Sequence, residues 1–582
     1  MILQALNHYY DVLTKAGTLE RPGWQPVKVS YALEINDNGQ LVRVLPLMAE
    51  EERGKRKVLM PRIMNLPAQI KRSVGIAPNF LCDNASYLLG LDDKGKPERA
   101  AKCFQSCREL HTGLLRDVDG SPARAICRFF NTWQPQTALD CIALQPFLKD
   151  IMGGVNITFA YGECFVGDLP EVQLAWDAHF NTEGEGEIMR CLVTGEAVIP
   201  ARLHPSIKGV AGGQPTGTTL VGFNAPAFES FGRDGGQGLN APVGEKAAFA
   251  YGAALNYMIA KRGHHFSLSD TTIVFWSESG EESYNGCYAA LMGQESPLND
   301  DDIYQMLRNL ANGRRVIWQE AELDPDERFY VLGLAPNAAR LSIRFFLQDT
   351  FGAFARNLAI HHERMRIIRP DFDTRTALTF RQMLEETVNQ KSRDPTPSPL
   401  LSGAVVRSVL MGLPYPTMLL EQVELRIRAE HGITRGRAAI IKAFLLRNTQ
   451  DNEKYNQYEE ALDVELNDNT NYQPYLLGRL FAILEGLQRA ANPGINTTIR
   501  DRFFNSACAT PGVVFPQLIK LAQAHLKKLD SGLSVHYSKQ LGDILSRFNA
   551  DYPPRLSLND QGIFQLGYYH QVQARYGKKE DK

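Results

Sequence analysis

Apolar residues at Ile2, Leu3, Leu6, Tyr9, Tyr10 and Leu13 recur at helical spacing and stop before Gly17, which predicts a short amphipathic helix. After Pro22-Gly23-Trp24 the period changes to two. Val27, Val29, Tyr31, Leu33 and Ile35 then share one strand face, Asn36-Asp37-Asn38-Gly39 is turn chemistry, and residues 41–45 return as a second strand. Further along, the pattern predicts a helix over about 245–262 and an apolar strand over 271–276. A second hairpin over 328–335 and 340–347 is expected to turn at Pro336-Asn337. Leu341, Ile343, Phe345 and Leu347 would lie on one face of its second strand, opposite Arg340, Ser342 and Arg344.

The stretch 392–399 carries Pro395, Pro397 and Pro399 at alternate positions, so it cannot be helix interior and reads as a stiff linker. Beyond it helical periodicity recurs at about 416–431, 435–448, 455–466, 473–491, 498–507, 514–529, 533–549 and 560–575, with no strand pattern. The expected fold class is therefore α+β. A mixed N-terminal part with antiparallel strands and helices spans 1–395, and an all-α helical bundle spans 400–582. The length of 582 residues would by itself suggest roughly four domain-sized units.

Composition narrows the class without naming a function. With 44% hydrophobic and 22% charged residues the chain is globular, which excludes a disordered or fibrous protein. An odd set of nine cysteines, eight of them in the first half, argues for a reducing cytoplasm and against a secreted disulfide framework. No signal peptide is expected from the opening residues, and no apolar run of 18 exists to span a membrane. The net charge of -2 speaks against nucleic acid only as an average. From residue 401 onward there are 22 Lys and Arg against 18 Asp and Glu, whereas the earlier part has 41 against 47.

The search for catalytic chemistry finds no coherent constellation. Gly90 to Lys96 has phosphate-loop spacing, but Pro97 stands where a Mg²⁺-ligating hydroxyl belongs and is expected to disfavour the helix that would hold the phosphates. Cys103, Cys107 and His111 would line one helix face. They lack a fourth zinc ligand, and buried cysteines on a core helix are the simpler account. His264-His265 and His361-His362 lack the partners of a nuclease metal site, and adjacent residues point apart. Asp300-Asp301-Asp302 suits a helix start. No cofactor is expected.

Basic positions are more informative. Residues 53–72 hold Arg53, Lys55, Arg56, Lys57, Arg62, Lys71 and Arg72 with no acid, and such a cluster attracts phosphates without sequence preference. The following segment, with Ser73, Gly75, Asn79 and Asn84, combines small residues with amides able to read base edges. A solvated loop with ordinary turn residues explains it equally well. Asn79 and Asn84 are preferred over Asp83 for base contact, because a carboxylate near phosphates is costly unless paired. In the helical part Arg435, Arg437, Lys442 and Arg447 share a segment with Ile440, Ile441, Phe444 and Leu445, while Lys520, Lys527 and Lys528 cluster on another. Both patterns suggest helices with one buried and one basic face.

Several long motifs in order resemble one family. They include Met1-Ile2-Leu3-Gln4-Ala5-Leu6 with Gly23-Trp24, Arg72-Ser73-Val74-Gly75-Ile76 leading into Phe80-Leu81-Cys82-Asp83-Asn84-Ala85-Ser86-Tyr87, and Leu220-Val221-Gly222-Phe223-Asn224-Ala225-Pro226. In the C-terminal part they include Tyr475-Leu476-Leu477-Gly478-Arg479-Leu480-Phe481, Thr498-Ile499-Arg500-Asp501-Arg502-Phe503-Phe504 and Gln561-Gly562-Ile563-Phe564-Gln565-Leu566-Gly567-Tyr568-Tyr569-His570-Gln571. The chain thus resembles the large subunit of the type I-C CRISPR surveillance complex, Cascade.

The resemblance implies a non-catalytic subunit of an RNA-guided complex that senses the protospacer-adjacent motif (PAM) on duplex DNA, promotes unwinding, stabilises the R-loop and helps recruit the helicase-nuclease. Its implied partners are the crRNA with the backbone and crRNA-processing subunits, double-stranded target DNA, the displaced strand, and a small subunit made from an internal start in the same gene. Met418 is the last methionine, so that start would be a non-AUG codon, for instance near Val464. On this reading Lys71, Arg72, Ser73, Asn79 and Asn84 form a PAM-proximal loop, and Arg53, Lys55, Arg56 and Lys57 hold duplex phosphates. Arg435, Arg437, Lys442, Arg479, Lys520, Lys527 and Lys528 guide the displaced strand. The alternatives are a metal-dependent nuclease using His361 and His362, or a pure protein and crRNA scaffold.

Overall fold

A computed structural model describes residues 1–575 except 54, 55, 71, 73, 74, 93–95, 182–185, 224–237, 295–299, 451–457, 549 and 550. It is α+β, with sheets and helices interleaved to residue 350 and helices thereafter. The chain divides into two compact units, one formed by 1–205 with 222–254 and the other by 206–221 with 255–582.

In the first unit the opening helix Ile2–Lys15 buries Ala5, Leu6, Tyr9, Tyr10 and Leu13. The strand expected over 27–35 is two strands. Trp24–Val29 pairs with Arg56–Pro67, which pairs in turn with Met48–Arg53, all antiparallel. Tyr31–Ile35 belongs to another sheet, antiparallel to Leu41–Pro46 and parallel to Ile157–Tyr161. Ser30 is the pivot: its N–H donates to the Asn156 carbonyl at 3.0 Å and its carbonyl accepts from Leu47 at 2.8 Å. The alternation runs unbroken through the pivot, so periodicity alone could not show it. Val27 and Val29 pack with Met64, Leu66 and Cys82, whereas Tyr31, Leu33 and Ile35 join a core containing Phe80, Leu81, Phe129, Phe130 and Phe159.

The helix Pro97–Leu115 starts on Pro97, which corrects the expectation that this proline would disfavour a helix. At the first helical position proline lacks only an N–H that would have had no partner in the helix anyway. Cys103, Cys107 and His111 lie on its buried face.

The second unit is built on a six-stranded sheet in the order Ser206–Ile207, Thr218–Thr219, Arg340–Thr350, Arg328–Asn337, Thr271–Ser277 and His265–Leu268. The central strand Thr271–Ser277 is buried throughout. Its neighbouring hairpin turns at 338–339, not at Pro336-Asn337, and Ala338 adopts φ +53° there. The register shifts between Gly333 and Leu334, and Arg344 is the residue left without a partner in the ladder. This bulge breaks the expected face, so Ile343 is 46% exposed while Leu341, Phe345 and Leu347 are buried.

Helices Pro399–Leu410, Thr417–Glu430, Arg435–Asn448, Gln473–Ala491, Ile499–Ala509, Pro511–Leu526, Ser531–Leu545 and Leu558–Gln573 complete this unit. The first of them was not expected from the pattern. The helix expected over 455–466 does not extend past 460. There Asp463 accepts from the Val464 N–H at 2.7 Å and Asn467 from the Asn469 N–H at 2.8 Å, side-chain bonds that compete with a helical ladder. The Pro-rich stretch is exposed and lies within the second unit. Phe380 and Leu384 before it and Leu401 and Val405 after it enter one apolar core.

Two glycines set the tightest packing. A Cβ on Gly478 would overlap the Phe564 carbonyl oxygen, and one on Gly567 would overlap that of Tyr475, so helices Gln473–Ala491 and Leu558–Gln573 meet backbone to backbone. Overpacking of this kind costs about 1–3 kcal/mol or more. Gly478→Ala is therefore expected to lower the unfolding midpoint of the second unit in urea, and an unchanged midpoint would contradict the close approach.

Burial also makes the fold acid-sensitive. Desolvation holds His111, His204, His264 and His362 at about 4, His570 at about 3 and His361 well below the ordinary histidine value of 6.5. Because the folded pKa lies below the unfolded one, the unfolded chain takes up these protons first. The stability they carry is complete above pH 6.5 and is lost as pH falls toward 4. Glu424, raised by desolvation to about 7, and Glu386, raised by the same cause, act oppositely in this window but are outnumbered by the histidines. Thermal scans should show the transitions moving down steadily between pH 6.5 and 4.5, and a flat profile would refute this reading.

Candidate nucleic-acid interface

The loop between Pro67 and Ala85 is organised by one carboxylate. Asp83 is 2% exposed and forms a two-residue antiparallel bridge with Ile157, N–H to carbonyl at 3.1 and 2.8 Å. Its side chain accepts from the Asn79 N–H at 2.9 Å, from the Asn84 N–H at 2.8 Å and from both terminal nitrogens of Arg72, the Nη1 bond being 2.9 Å. The Arg72 Nε donates to the Ala77 carbonyl at 2.6 Å, and its guanidinium lies 3.9 Å from the centre of the Tyr87 ring. Desolvation works to lower the Arg72 pKa, but the hydrogen bond to and charge of Asp83, with Tyr87 and Cys103, together raise it. The Arg72 side chain nonetheless keeps 23% of its surface exposed. Among the described residues, two of its five N–H groups have no acceptor.

The amides expected at this loop are engaged within it. Asn79 is 6% exposed and its Oδ1 accepts from the Ile70 N–H at 2.8 Å. Asn84 caps the short helix Ala85–Leu88, accepting from the Ser86 N–H at 3.1 Å. Lys71 and Ser73 lie outside the described residues. A cation that the sequence reading did not select joins the loop: exposed Arg99 donates to the Gly75 carbonyl at 2.8 Å.

Of the basic cluster at 53–57, Arg53 ends the strand Met48–Arg53 and Arg56 and Lys57 begin the strand Arg56–Pro67, with Arg53 opposite Arg56 and Glu52 opposite Lys57. Lys55 lies outside the described residues. The window is free of acids along the chain, but Glu50, Glu51 and Glu52 occupy the opposing strand.

In the second unit four of the expected strand-guiding cations are enclosed. Arg435, 8% exposed, donates to the carbonyls of Arg375 at 2.7 Å and Thr376 at 3.1 Å and pairs with Asp373 at 3.1 Å. Arg437, 4% exposed, pairs with Glu430 at 2.5 Å and donates to the Gly432 carbonyl at 2.9 Å. Lys442 donates to the Arg366 and Arg364 carbonyls at 2.8 and 3.2 Å, and desolvation lowers its pKa to about 8. Arg479 donates to Gln571 at 3.0 Å and pairs with Asp468. The helix Arg435–Asn448 is buried from Arg435 to Leu445 on all its faces. It therefore lacks the basic outer face expected of it, and its cations satisfy carbonyls and carboxylates of neighbouring segments. Lys520, Lys527 and Lys528 are exposed, Lys528 donating to Asn492 Oδ1 at 3.1 Å.

The histidines considered for metal chemistry are packed. His361 is 2% exposed, shares a 2.7 Å hydrogen bond with the Tyr415 hydroxyl and stacks on Phe380. Among the described residues no three His, Cys, Asp or Glu side chains group as metal ligands, and no helix is long and apolar enough to cross a membrane.

With this geometry in view, comparison with known families gives a match over residues 6–576 to the model of the CRISPR-associated protein family Cas_Csd1. The chain belongs to the Cas_Csd1 family. No curated protein matches it. As a Cas_Csd1 protein it is a CRISPR-associated Cascade subunit. Within such a subunit Asp83 is the residue that sequence reasoning set aside. Its signal was the surrounding pattern of Arg72, Asn79 and Asn84, which supply the donors that a buried carboxylate needs.

Asp83→Asn should therefore cost the first unit about 3 kcal/mol, because it removes one partner of a largely enclosed ion pair. Chemical denaturation followed through Trp24 and Trp176 fluorescence would measure this, and a loss below about 1 kcal/mol would rule out the organising role.

Proposed function

We propose that this protein is the non-catalytic large subunit of a type I-C CRISPR Cascade complex. It recognises the PAM on duplex DNA, promotes unwinding, stabilises the R-loop and helps recruit the helicase-nuclease in the cytoplasm. The observation that carries this reading is Arg72. Its guanidinium is held in a fixed orientation by Asp83, the Ala77 carbonyl and the Tyr87 ring, and it remains partly open to solvent. An arginine held in this way is suited to recognising a base edge or a phosphate without first losing its rotamer freedom.

In this proposal Lys71, Arg72 and Ser73 meet the DNA, while Asn79 and Asn84 shape the loop behind them. Arg53, Lys55, Arg56 and Lys57 hold duplex phosphates. Lys520, Lys527 and Lys528 guide the displaced strand, and the enclosed Arg435, Arg437, Lys442 and Arg479 stabilise the helices that present them. Pairing between crRNA and target carries the long sequence, so the protein needs only a short reader and cationic tracks. The backbone and crRNA-processing subunits, and a small subunit from an internal start, complete the assembly.

Binding of labelled duplexes by the reconstituted complex tests the proposal. Arg72→Ala should reduce the preference for a PAM-bearing over a scrambled flank by about 10-fold, the range for one lost base contact. Changing Lys520, Lys527 and Lys528 together to Ala should weaken both targets alike and flatten the salt dependence by a log–log slope of about 2. If Arg72→Ala weakens both targets equally, the loop contacts phosphate and the reader lies elsewhere. Metal-dependent cleavage that disappears in a His361→Ala, His362→Ala variant would overturn the non-catalytic assignment.

A further inference from the structure

The PAM-proximal reading leaves His111 and the backbone of Leu81 without a role, and together they suggest one. Leu81 adopts φ +61°, a conformation that L side chains rarely take, although it is fully buried. Its N–H donates to His111 Nε2 at 2.9 Å, and its carbonyl accepts from the Thr158 hydroxyl at 2.9 Å. His111 Nδ1 lies 2.8 Å from the Cys107 carbonyl, which can only accept, so Nδ1 carries the proton and Nε2 is left to accept. The ring is enclosed by Phe80 at 5.0 Å and Phe130 at 4.6 Å, and this desolvation keeps it neutral. Asp83, which orients Arg72, follows Leu81 by two residues.

We infer that His111 and Thr158 are positioning residues that clamp Leu81 in its left-handed conformation and thereby aim the Asp83–Arg72 pair at the DNA. The inference rests on the assignment of this loop to PAM sensing. Without the clamp, Leu81 relaxes to negative φ, the peptide planes on either side rotate, and Asp83 leaves the register in which it meets Arg72 and Asn79. The helix face that carries Cys103, Cys107 and His111 thus contributes a hydrogen-bond acceptor to the loop.

Two near-isosteric comparisons test it in the assembled complex, each read as the affinity ratio between PAM-bearing and scrambled duplexes. His111→Gln retains an acceptor near the Nε2 position, and His111→Met has similar shape without one. Thr158→Ser retains the hydroxyl, and Thr158→Val removes it. His111→Met and Thr158→Val should lower the ratio about 10-fold with scrambled-duplex affinity unchanged, while His111→Gln and Thr158→Ser stay within about 3-fold of the parent. Should His111→Met fail to assemble, the Thr158 pair decides. Unchanged ratios in the Met and Val variants, or equal losses in all four, overturn the inference. Arg72→Ala run alongside separates the two levels. If it abolishes the preference while the Met and Val variants keep it, the clamp alone is wrong; if it too leaves the preference intact, the loop assignment is wrong.

Discussion

A carboxylate withdrawn from water needs compensating donors, and at Asp83 that requirement organises the loop around it. Four hydrogen bonds converge on one side chain, two of them from a single guanidinium. Removing either partner of such a pair is far more costly than the pair's net contribution to stability. The arrangement therefore explains geometry better than it explains stability. It determines where Arg72 points and holds the N–H of Asn84, the cap of the helix at Ala85, while the Asp83 main chain ties the loop to the strand Ile157–Tyr161.

The cations of the second unit follow the same rule with the opposite outcome. Arg435, Arg437, Lys442 and Arg479 are also held among acceptors, but each keeps less than a tenth of its surface exposed. Lys442 bonds to the carbonyls of Arg364 in the last turn of the helix Phe351–Met365 and of Arg366 at its C-cap, where backbone acceptors lack intrahelical partners. A basic residue beside apolar ones on a helix thus has two physical readings, a stem lying on the core with its charge in water or a charge satisfied inside. The choice depends on what packs against the helix.

Legibility in the sequence followed the range of the interaction. Elements set by local periodicity were readable: the opening helix, the central strand, the two strands of the second hairpin and most C-terminal helices lie where the pattern places them. Features set by partners distant in sequence were not. The pivot at Ser30 depends on Asn156 and Leu47, and the bulge at Arg344 depends on register with Gly333. Gly478 and Gly567 appear in the chain as ordinary helix-weakening glycines, yet each permits the other helix's backbone to approach. At the candidate site the basic loop was legible from composition. The inward use of Asn79 and Asn84, and the central place of Asp83, depended on a carboxylate whose donors lie up to eleven residues away.

The near-zero net charge is consistent with this division. Charges that pair inside a fold cancel in the sum without cancelling at a surface, and in the hairpin Glu52 lies opposite Lys57 while Arg53 lies opposite Arg56. What a nucleic-acid partner meets is the local field within about one Debye length, roughly 8 Å at physiological salt. An arginine oriented by its own buried counter-ion can still offer its remaining donors, although part of its charge is neutralised. Hydrogen-bond direction is then its main contribution to binding. That suits a reader of a short motif, which gains more from geometry than from attraction, and it leaves nonspecific attraction to cations elsewhere on the chain.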